Sequence, residues 1–296
     1  MHIRSAELST SSLPLGRSAQ YFVAFAPQKK SPHEARIWAK MGSMKRIVVK
    51  IGTKVLSKKD GSLDAAFLAD LVAQIVVLRK KKIQVIVVTS GAVGAGRSAL
   101  VPRGIRSETV RRQLFAAVGQ VKLMSMYARL FEKYGYHCAQ VLATKEDFRD
   151  DEHYLNMKNC FEGLLLDNVV PIVNENDVVA TTELMFTDND ELAGLVATQL
   201  AADRLIILTS TDGVLDTMGN TVAEVDATKT GSVAAYISSR KSGAGRGGMS
   251  SKFNVAKALA QKGMEVNIVN GRRKNVLSET LLRAPGGTRF VPAIRK

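Results

Sequence analysis

The sequence has few of the residues that build disulfide frameworks and metal sites. Two cysteines, Cys138 and Cys160, occur in 296 residues, and they form neither a CxxC pair nor a metal-ligand spacing. We therefore predict free thiols in a reducing compartment, which favours a cytoplasmic protein without a cysteine-based metal framework. The four histidines all fall outside the motifs that carry candidate chemistry.

Long apolar runs are missing from the N-terminal segment, residues 1–43. Its apolar stretch at residues 21–26 is too short for a signal peptide or a membrane span, so no membrane partner is expected. The segment is basic, contains Ser and Pro, and lacks the periodicity that begins after Met41 and Met44. We predict that residues 1–43 are a disordered or untranslated extension, with a targeting segment as the alternative, and that residues 44–296 form the folded domain.

Basic residues outnumber acidic ones, and aromatic residues that could stack on nucleic-acid bases are scarce. Asp and Glu number 27 against 42 Lys and Arg, which gives a formal net charge of +15, while aromatic residues make up 6% of the chain. The basic excess lies mostly in residues 1–46 and 271–296. Because no aromatic stacking motif accompanies the excess, it favours anionic small-molecule substrates, and no nucleic-acid partner is expected.

From residue 45 onward, β-branched apolar runs alternate with helical periodicity. The predicted strands are 46–51, 83–88, 139–142, 168–174, 204–208 and 265–269. The predicted helices are 64–80, 108–134, 150–166, 191–200 and 250–262, with breaks at 52–54 and a glycine-rich turn at 89–96. Repeated βα units of this kind predict an α/β fold, a three-layer α/β/α sandwich with a mostly parallel central sheet. There is no internal repeat or interdomain linker, which indicates one large domain.

Acids and amides form two clusters at the ends of apolar elements. The first, residues 174–177, follows a predicted buried strand, and the second, residues 188–190, precedes a predicted helix. Ligands of open α/β sheets bind outside the carboxyl ends of the strands, so the first cluster lies where a site is expected. Either cluster alone could be a polar turn or a helix N-cap. Both together favour a functional site.

Lysines and glycines at other strand ends indicate anion binding. Lys50 lies inside an apolar strand, where an ammonium group needs an anionic partner. The glycines of residues 90–96 and 243–252 let backbone N–H groups approach an anion, and the second segment leads into a helix that carries Lys252. Neither segment is a strict GxxxxGK[ST] or GxGxxG motif, so each alone could be a turn or a linker. Their combination with the acidic clusters favours phosphate chemistry.

Seven segments, in chain order, resemble a known family. They are VVKIGTKVL, VVTSGAVGAGR, LFAAVGQVKLM, PIVNENDVVAT, TDNDELAGLVA, ILTSTDGV and GRGGMSSK. Over about residues 44–291 the chain is similar to the amino-acid kinase superfamily and, within it, to the glutamate 5-kinases. The NEND and DND pair is the most specific part of this resemblance.

The resemblance implies transfer of the γ-phosphoryl group of ATP to the side-chain carboxylate of L-glutamate, which begins proline biosynthesis. The implied catalytic residues are Lys50, Lys252, Asp188 and Asp190. The implied glutamate-binding residues are Ser90, Gly91, Asp177 and Asn189. The implied ATP-binding residues are Lys50, Thr209, Ser210, Arg246, Gly247, Gly248, Met249, Ser250, Ser251 and Lys252. Mg²⁺ is expected to arrive with ATP, aided by Asp188, without an assured direct protein ligand.

The resemblance also implies several partners. They are γ-glutamyl phosphate reductase, further copies of the chain in a dimer or tetramer, and proline as a feedback inhibitor acting near residues 96–112. The sequence departs from the family at Thr209-Ser210, where Thr-Asp is usual. The RNA-binding-like PUA domain that many relatives append is not expected here.

Two alternatives remain open. A sister kinase acting on another carboxylate or a carbamate would share most of these motifs. An inactive regulatory or nucleic-acid-binding homologue would share the fold alone, but the retention of Lys50, Asp188, Asp190 and Lys252 argues against it.

Overall fold

Eight strands form one sheet in the computed structural model, which describes residues 46–104, 107–180, 186, 188–228, 248–282 and 286–292. The strands are β1 Arg46–Ile51, β2 Gln84–Val88, β3 Cys138–Ala143, β4 Val170–Glu175, β5 Arg204–Thr209, β6 Glu224–Asp226, β7 Glu265–Asn270 and β8 Gly287–Val291. Their order across the sheet is β3-β4-β2-β1-β5-β7-β8-β6. The predicted extension, residues 1–43, lies outside the described residues.

Helices connect most of the strands. They are α1 Thr53–Leu56, α2 Ala65–Lys80, α3 Ala92–Arg97, α4 Glu108–Glu132, α5 Asp151–Leu166, α6 Asn189–Gln199, α7 Met249–Gln261 and α8 Val276–Leu282, with a 3-10 turn at Glu146–Phe148. Among the described residues, no helix combines the length and the apolar character that crossing a bilayer needs.

The sheet is mostly parallel, as the sequence predicted. Every pairing from β3 across to β7 is parallel, whereas β8 runs antiparallel to β7 and pairs in parallel with β6. The patterns missed β6, β8 and α8, which are short, and the predicted turn at 89–96 was wrong in part, because the helix α3 begins at Ala92. The predicted break at 52–54 was wrong in part, because Thr53 begins the short helix α1.

Apolar side chains of the strands fill two cores, one on each face of the sheet. Val48 of β1 belongs to one core with Leu192 of α6 and Phe253 of α7, and its neighbour Val49 belongs to the other with Leu71 of α2. Successive residues of a strand point to opposite faces, so one strand serves both cores. This arrangement is the predicted three-layer sandwich.

Two glycines let α3 and α4 approach closely. A Cβ on Gly119 of α4 would overlap the carbonyl oxygen of Ala92, and a Cβ on Gly96 of α3 would overlap the backbone of Phe115. The start of α3, which directly follows the carboxyl end of β2, is therefore set by helix contacts that only glycine permits.

We expect Gly119→Ala to lower the free energy of unfolding by about 1–3 kcal/mol, because the added methyl group must push α3 and α4 apart. The matched control is Gly163→Ala in α5, where a Cβ meets nothing within 4 Å. That change should instead stabilise the protein by about 1 kcal/mol through helix propensity. Urea denaturation of both variants measures the difference, and equal effects would contradict the close packing.

Candidate functional site

A cavity of about 680 Å³ lies at the carboxyl ends of the central parallel strands. Most of the residues predicted for the site line it, namely Lys50, Ser90, Gly91, Asp177, Asp188, Asn189, Thr209, Ser210, Gly248, Met249 and Lys252. Asp190 is fully buried and contacts two of these residues. Ser250 and Ser251 belong to α7 but do not line the cavity. Arg246 and Gly247 lie outside the described residues.

One buried carboxylate holds two buried lysines. Lys50 Nζ lies 2.6 Å from Asp190 Oδ1, and Lys252 Nζ lies 2.9 Å from Asp190 Oδ2. Burial lowers the pKa of the Lys50 ammonium, the charge of Lys252 lowers it further, and Asp190 opposes both. Asp188 also raises the pKa of Lys50, and the two ammonium groups, which line the cavity in a poorly solvated place, favour an anionic ligand.

Asp190 and Lys252 each lie in the first turn of a helix. Asp190 is in the first turn of α6, where the helix dipole stabilises a carboxylate. Lys252 is in the first turn of α7, where the dipole opposes a cation. A lysine at that position contributes little to helix stability, and its ion pair with Asp190 orients it.

Asp188 caps α6 with one carboxylate oxygen and leaves the other in the cavity wall. Its Oδ1 accepts hydrogen bonds from the backbone N–H groups of Asp190, at 2.8 Å, and Glu191, at 3.1 Å. Its Oδ2 is buried and has no hydrogen-bond partner among the described residues. A buried carboxylate oxygen without a partner is costly. It suits a hydrated Mg²⁺, which is bound by one or two carboxylates together with substrate phosphates.

The side-chain amide of Asn189 has a defined orientation. Its Nδ2 donates to the carbonyl oxygen of Thr89 at 2.6 Å, to Ser90 Oγ at 3.0 Å and to Asn174 Oδ1 at 3.0 Å. The donors of Asn189 are thus used within the protein. Its Oδ1 is left as an acceptor for a ligand that carries hydrogen-bond donors, such as an ammonium group.

A second layer of amides supports Asn189, and only Asn174 of this layer belongs to the predicted clusters. Asn174 Oδ1 also accepts from the backbone N–H of Glu175, and its Nδ2 donates to Gln120 Oε1 at 3.0 Å. Gln120 in turn donates to Gln140 Oε1 of β3 at 3.3 Å. This chain of amides fixes which atom of Asn174 faces Asn189. The polar residue at position 120 of a helix whose buried face is otherwise largely apolar was the available sequence signal.

Asp177, which is predicted to bind the amino acid, forms an ion pair that the sequence did not predict. Arg112 Nη2 lies 2.7 Å from Asp177 Oδ1 and 4.0 Å from Glu175 Oε2. Arg112 belongs to α4, which begins at Glu108, and α3 ends at Arg97. The segment 96–112, near which proline is expected to act, is therefore helical at both ends.

Gly91 is required by its backbone geometry. It has a φ of +98°, in the left-handed region, and a Cβ there would come 2.5 Å from Cδ2 of Leu56. Ser90 and α3 therefore meet in a turn that only glycine allows. At the opposite end, Thr209 is buried, Ser210 is exposed, and Thr211 also lines the cavity.

Comparison with known proteins identifies the family. A sequence model described as the amino acid kinase family matches residues 45–270. The chain belongs to the amino acid kinase family. Within the family it is similar to glutamate 5-kinase from Chlorobaculum tepidum, at 48% identity over 249 residues, 83% of this chain and 69% of that one. Glutamate 5-kinase from Bacteroides thetaiotaomicron is 44% identical over 256 residues, 84% of this chain and 70% of that one.

Solved structures of the amino acid kinase fold are similar as well. Carbamate kinase from Giardia has a TM-score of 0.63 and 17% identity, covering 85% of this chain and 100% of that one. UMP kinase from Ureaplasma parvum has a TM-score of 0.55 and 16% identity, covering 83% of this chain and 99% of that one. At this identity the likeness shows the fold alone, and it confirms the predicted α/β/α class.

We expect Asp190→Asn to lower the free energy of unfolding by about 3–5 kcal/mol, because it removes the carboxylate that both buried ammonium groups contact. Asp70→Asn is the matched control, since Asp70 is an exposed helical carboxylate whose side chain accepts from Gln74. Denaturant titration measures both. A loss at Asp190 no larger than that at Asp70 would show that the two lysines do not depend on this carboxylate.

Proposed function

We propose that this chain transfers the γ-phosphoryl group of ATP to the γ-carboxylate of L-glutamate and forms γ-glutamyl phosphate and ADP. The observation that carries the proposal is the convergence of Lys50 and Lys252 on Asp190, beside a cavity that also contains Asp177 and Asn189. The glutamate 5-kinase relatives, at 48% and 44% identity, support the same reaction.

The nucleotide occupies the end of the cavity formed by β5 and α7. Thr209 and Ser210 follow β5, and Gly248 and Met249 precede Lys252 at the start of α7. Backbone N–H groups at a helix start favour phosphate groups. We include Arg246 and Gly247, just before this start, in the nucleotide site, and we assign Ser250 and Ser251 a supporting role because they do not line the cavity.

The amino acid occupies the other end, near β2 and β4. Asp177 and Asn189 Oδ1 offer acceptors to its ammonium group, while Ser90 and the backbone of Gly91 hold the chain that leads to the γ-carboxylate. This arrangement directs the reacting carboxylate toward Lys50.

The main task of such a site is to overcome the charge repulsion between its two substrates. Phosphoryl transfer needs alignment and cations more than covalent help. The acceptor carboxylate and the triphosphate repel each other, so Lys50 and Lys252 donate hydrogen bonds to the transferring phosphoryl group while Asp190 keeps both lysines in place. When bound with ATP, Mg²⁺ neutralises phosphate charge, and Asp188 Oδ2 is the group that would hold it or its water.

A general base is not needed. The acceptor carboxylate is already deprotonated near neutral pH. Among the described residues that line the cavity there is no histidine. The chemistry therefore relies on Lys50 and Lys252, which align and neutralise the phosphate groups.

Several further assignments remain proposals. We expect a cytoplasmic enzyme that forms a dimer or tetramer, delivers its acyl phosphate to γ-glutamyl phosphate reductase, and is inhibited by proline. Proline shares the α-ammonium and α-carboxylate of glutamate, so binding in competition with glutamate is expected, and raising glutamate should relieve it.

ATP-dependent hydroxamate formation from L-glutamate and hydroxylamine tests the reaction directly. We expect product with L-glutamate and far less with L-aspartate, N-acetyl-L-glutamate or carbamate. A higher rate with one of the other acceptors would identify a sister kinase, and no product with any acceptor would support an inactive homologue.

Lys50→Ala and Lys252→Ala should each lower kcat by about 10²-fold or more and change KM far less, because each removes a contact that strengthens in the transition state. Lys257→Ala is the control, since Lys257 is on the same helix as Lys252 and does not line the cavity. Steady-state kinetics in the hydroxamate assay measures all three. Near-normal kcat in either cavity variant would refute the assigned role.

A further inference from the structure

Arg112 places a cation at the acceptor end of the cavity. It lines the cavity from the first turns of α4, and its side chain is 31% exposed. It faces two carboxylates, Asp177 at 2.7 Å and Glu175 at 4.0 Å. Neither the motifs nor the proposed phosphoryl chemistry gives this arginine a task.

We propose that Arg112 binds the α-carboxylate of the amino-acid substrate, while Asp177 takes the α-ammonium group. The ion pair between Arg112 and Asp177 is thereby exchanged for two contacts to a zwitterion. This inference rests on the proposed function, and it identifies the residue that selects an acceptor with an α-carboxylate.

The geometry of an amino acid supports this exchange. Its ammonium and carboxylate groups are attached to the same carbon atom, so an ammonium on Asp177 brings the carboxylate to the side chain that already contacts Asp177. Within the described part of the chain, both ion-pair contacts of Arg112 use Nη2. The other donors of the guanidinium group remain for a bidentate contact with a carboxylate.

The charges near Arg112 point the same way. Two carboxylates, Asp177 and Glu175, face this one guanidinium group. The α-ammonium and α-carboxylate groups of an amino acid add one charge of each sign, so their binding leaves the net charge around Arg112 unchanged. Arg97 is a weaker candidate, because its guanidinium group lies over the ring of Phe115, 5.6 Å from the ring centroid.

Two glutamate analogues test the contact to the α-ammonium group and the contact to the α-carboxylate separately. Glutarate keeps both carboxylates and lacks the ammonium group, whereas 4-aminobutyrate keeps the ammonium group and the reacting carboxylate and lacks the α-carboxylate. Each is measured as a competitive inhibitor against L-glutamate in the hydroxamate assay, with the unaltered chain and with Arg112→Ala.

Arg112→Ala should raise the KM for L-glutamate and the Ki of glutarate by about 10–100-fold, the range expected for one charge-assisted contact, and change kcat by less than about 3-fold. The Ki of 4-aminobutyrate should stay unchanged or fall, since the variant leaves Asp177 without its internal cation. Asp177→Asn should have the opposite effect and raise the Ki of 4-aminobutyrate more than the Ki of glutarate.

Two further variants act as controls. Arg111→Ala removes the adjacent arginine of α4, which is 44% exposed, pairs with Glu108 and does not line the cavity, so its kinetics should match those of the unaltered chain. Arg112→Lys keeps the charge without the bidentate geometry and should give an intermediate KM.

Each contrary outcome has a distinct meaning. Equal weakening of both analogues by Arg112→Ala would show that Arg112 only positions Asp177 and would overturn the proposal. An unchanged KM for L-glutamate would overturn it as well. If the unaltered chain forms no hydroxamate from L-glutamate, the proposed function itself fails.

Discussion

The shared carboxylate of Asp190 is the interaction on which the site depends. Two lysine ammonium groups lie within 2.6 and 2.9 Å of its two oxygens, in a region largely removed from water. Asp190 therefore places two cations side by side at the cavity, where they favour an anionic ligand. The same burial that makes the arrangement costly makes its attraction for an anion strong.

The sheet order makes this interaction possible. β1 lies between β2 and β5 in the parallel part of the sheet, so Lys50 meets residues that follow neighbouring strands. Asp190 and Lys252 come from the first turns of two helices, 62 residues apart in the chain. The two glycine contacts between α3 and α4 have a similar role at the other end of the cavity, because they determine where the start of α3 and the first turns of α4 lie.

Sequence patterns predicted the long buried strands and the helices well. Runs such as Ile47–Ile51 are buried on both sides of a parallel sheet and leave a clear apolar signal. The sequence patterns did not predict β6, which has three residues, or β8, which contains Gly287 and Arg289 and lies near the sheet edge. Short edge strands have too few residues to show a period, so their pairing is decided by tertiary contacts.

The sequence by itself determined which chemical groups are available and at which strand ends they lie, because alternation of elements and strand-end position are local properties. The tertiary structure alone decided their partners. Arg112 pairs with Asp177, 65 residues away, and Asn174 bonds to Gln120, 54 residues away. No local period encodes such pairs, since ion pairs and amide hydrogen bonds depend on which side chains the packed sheet and helices bring within about 3 Å.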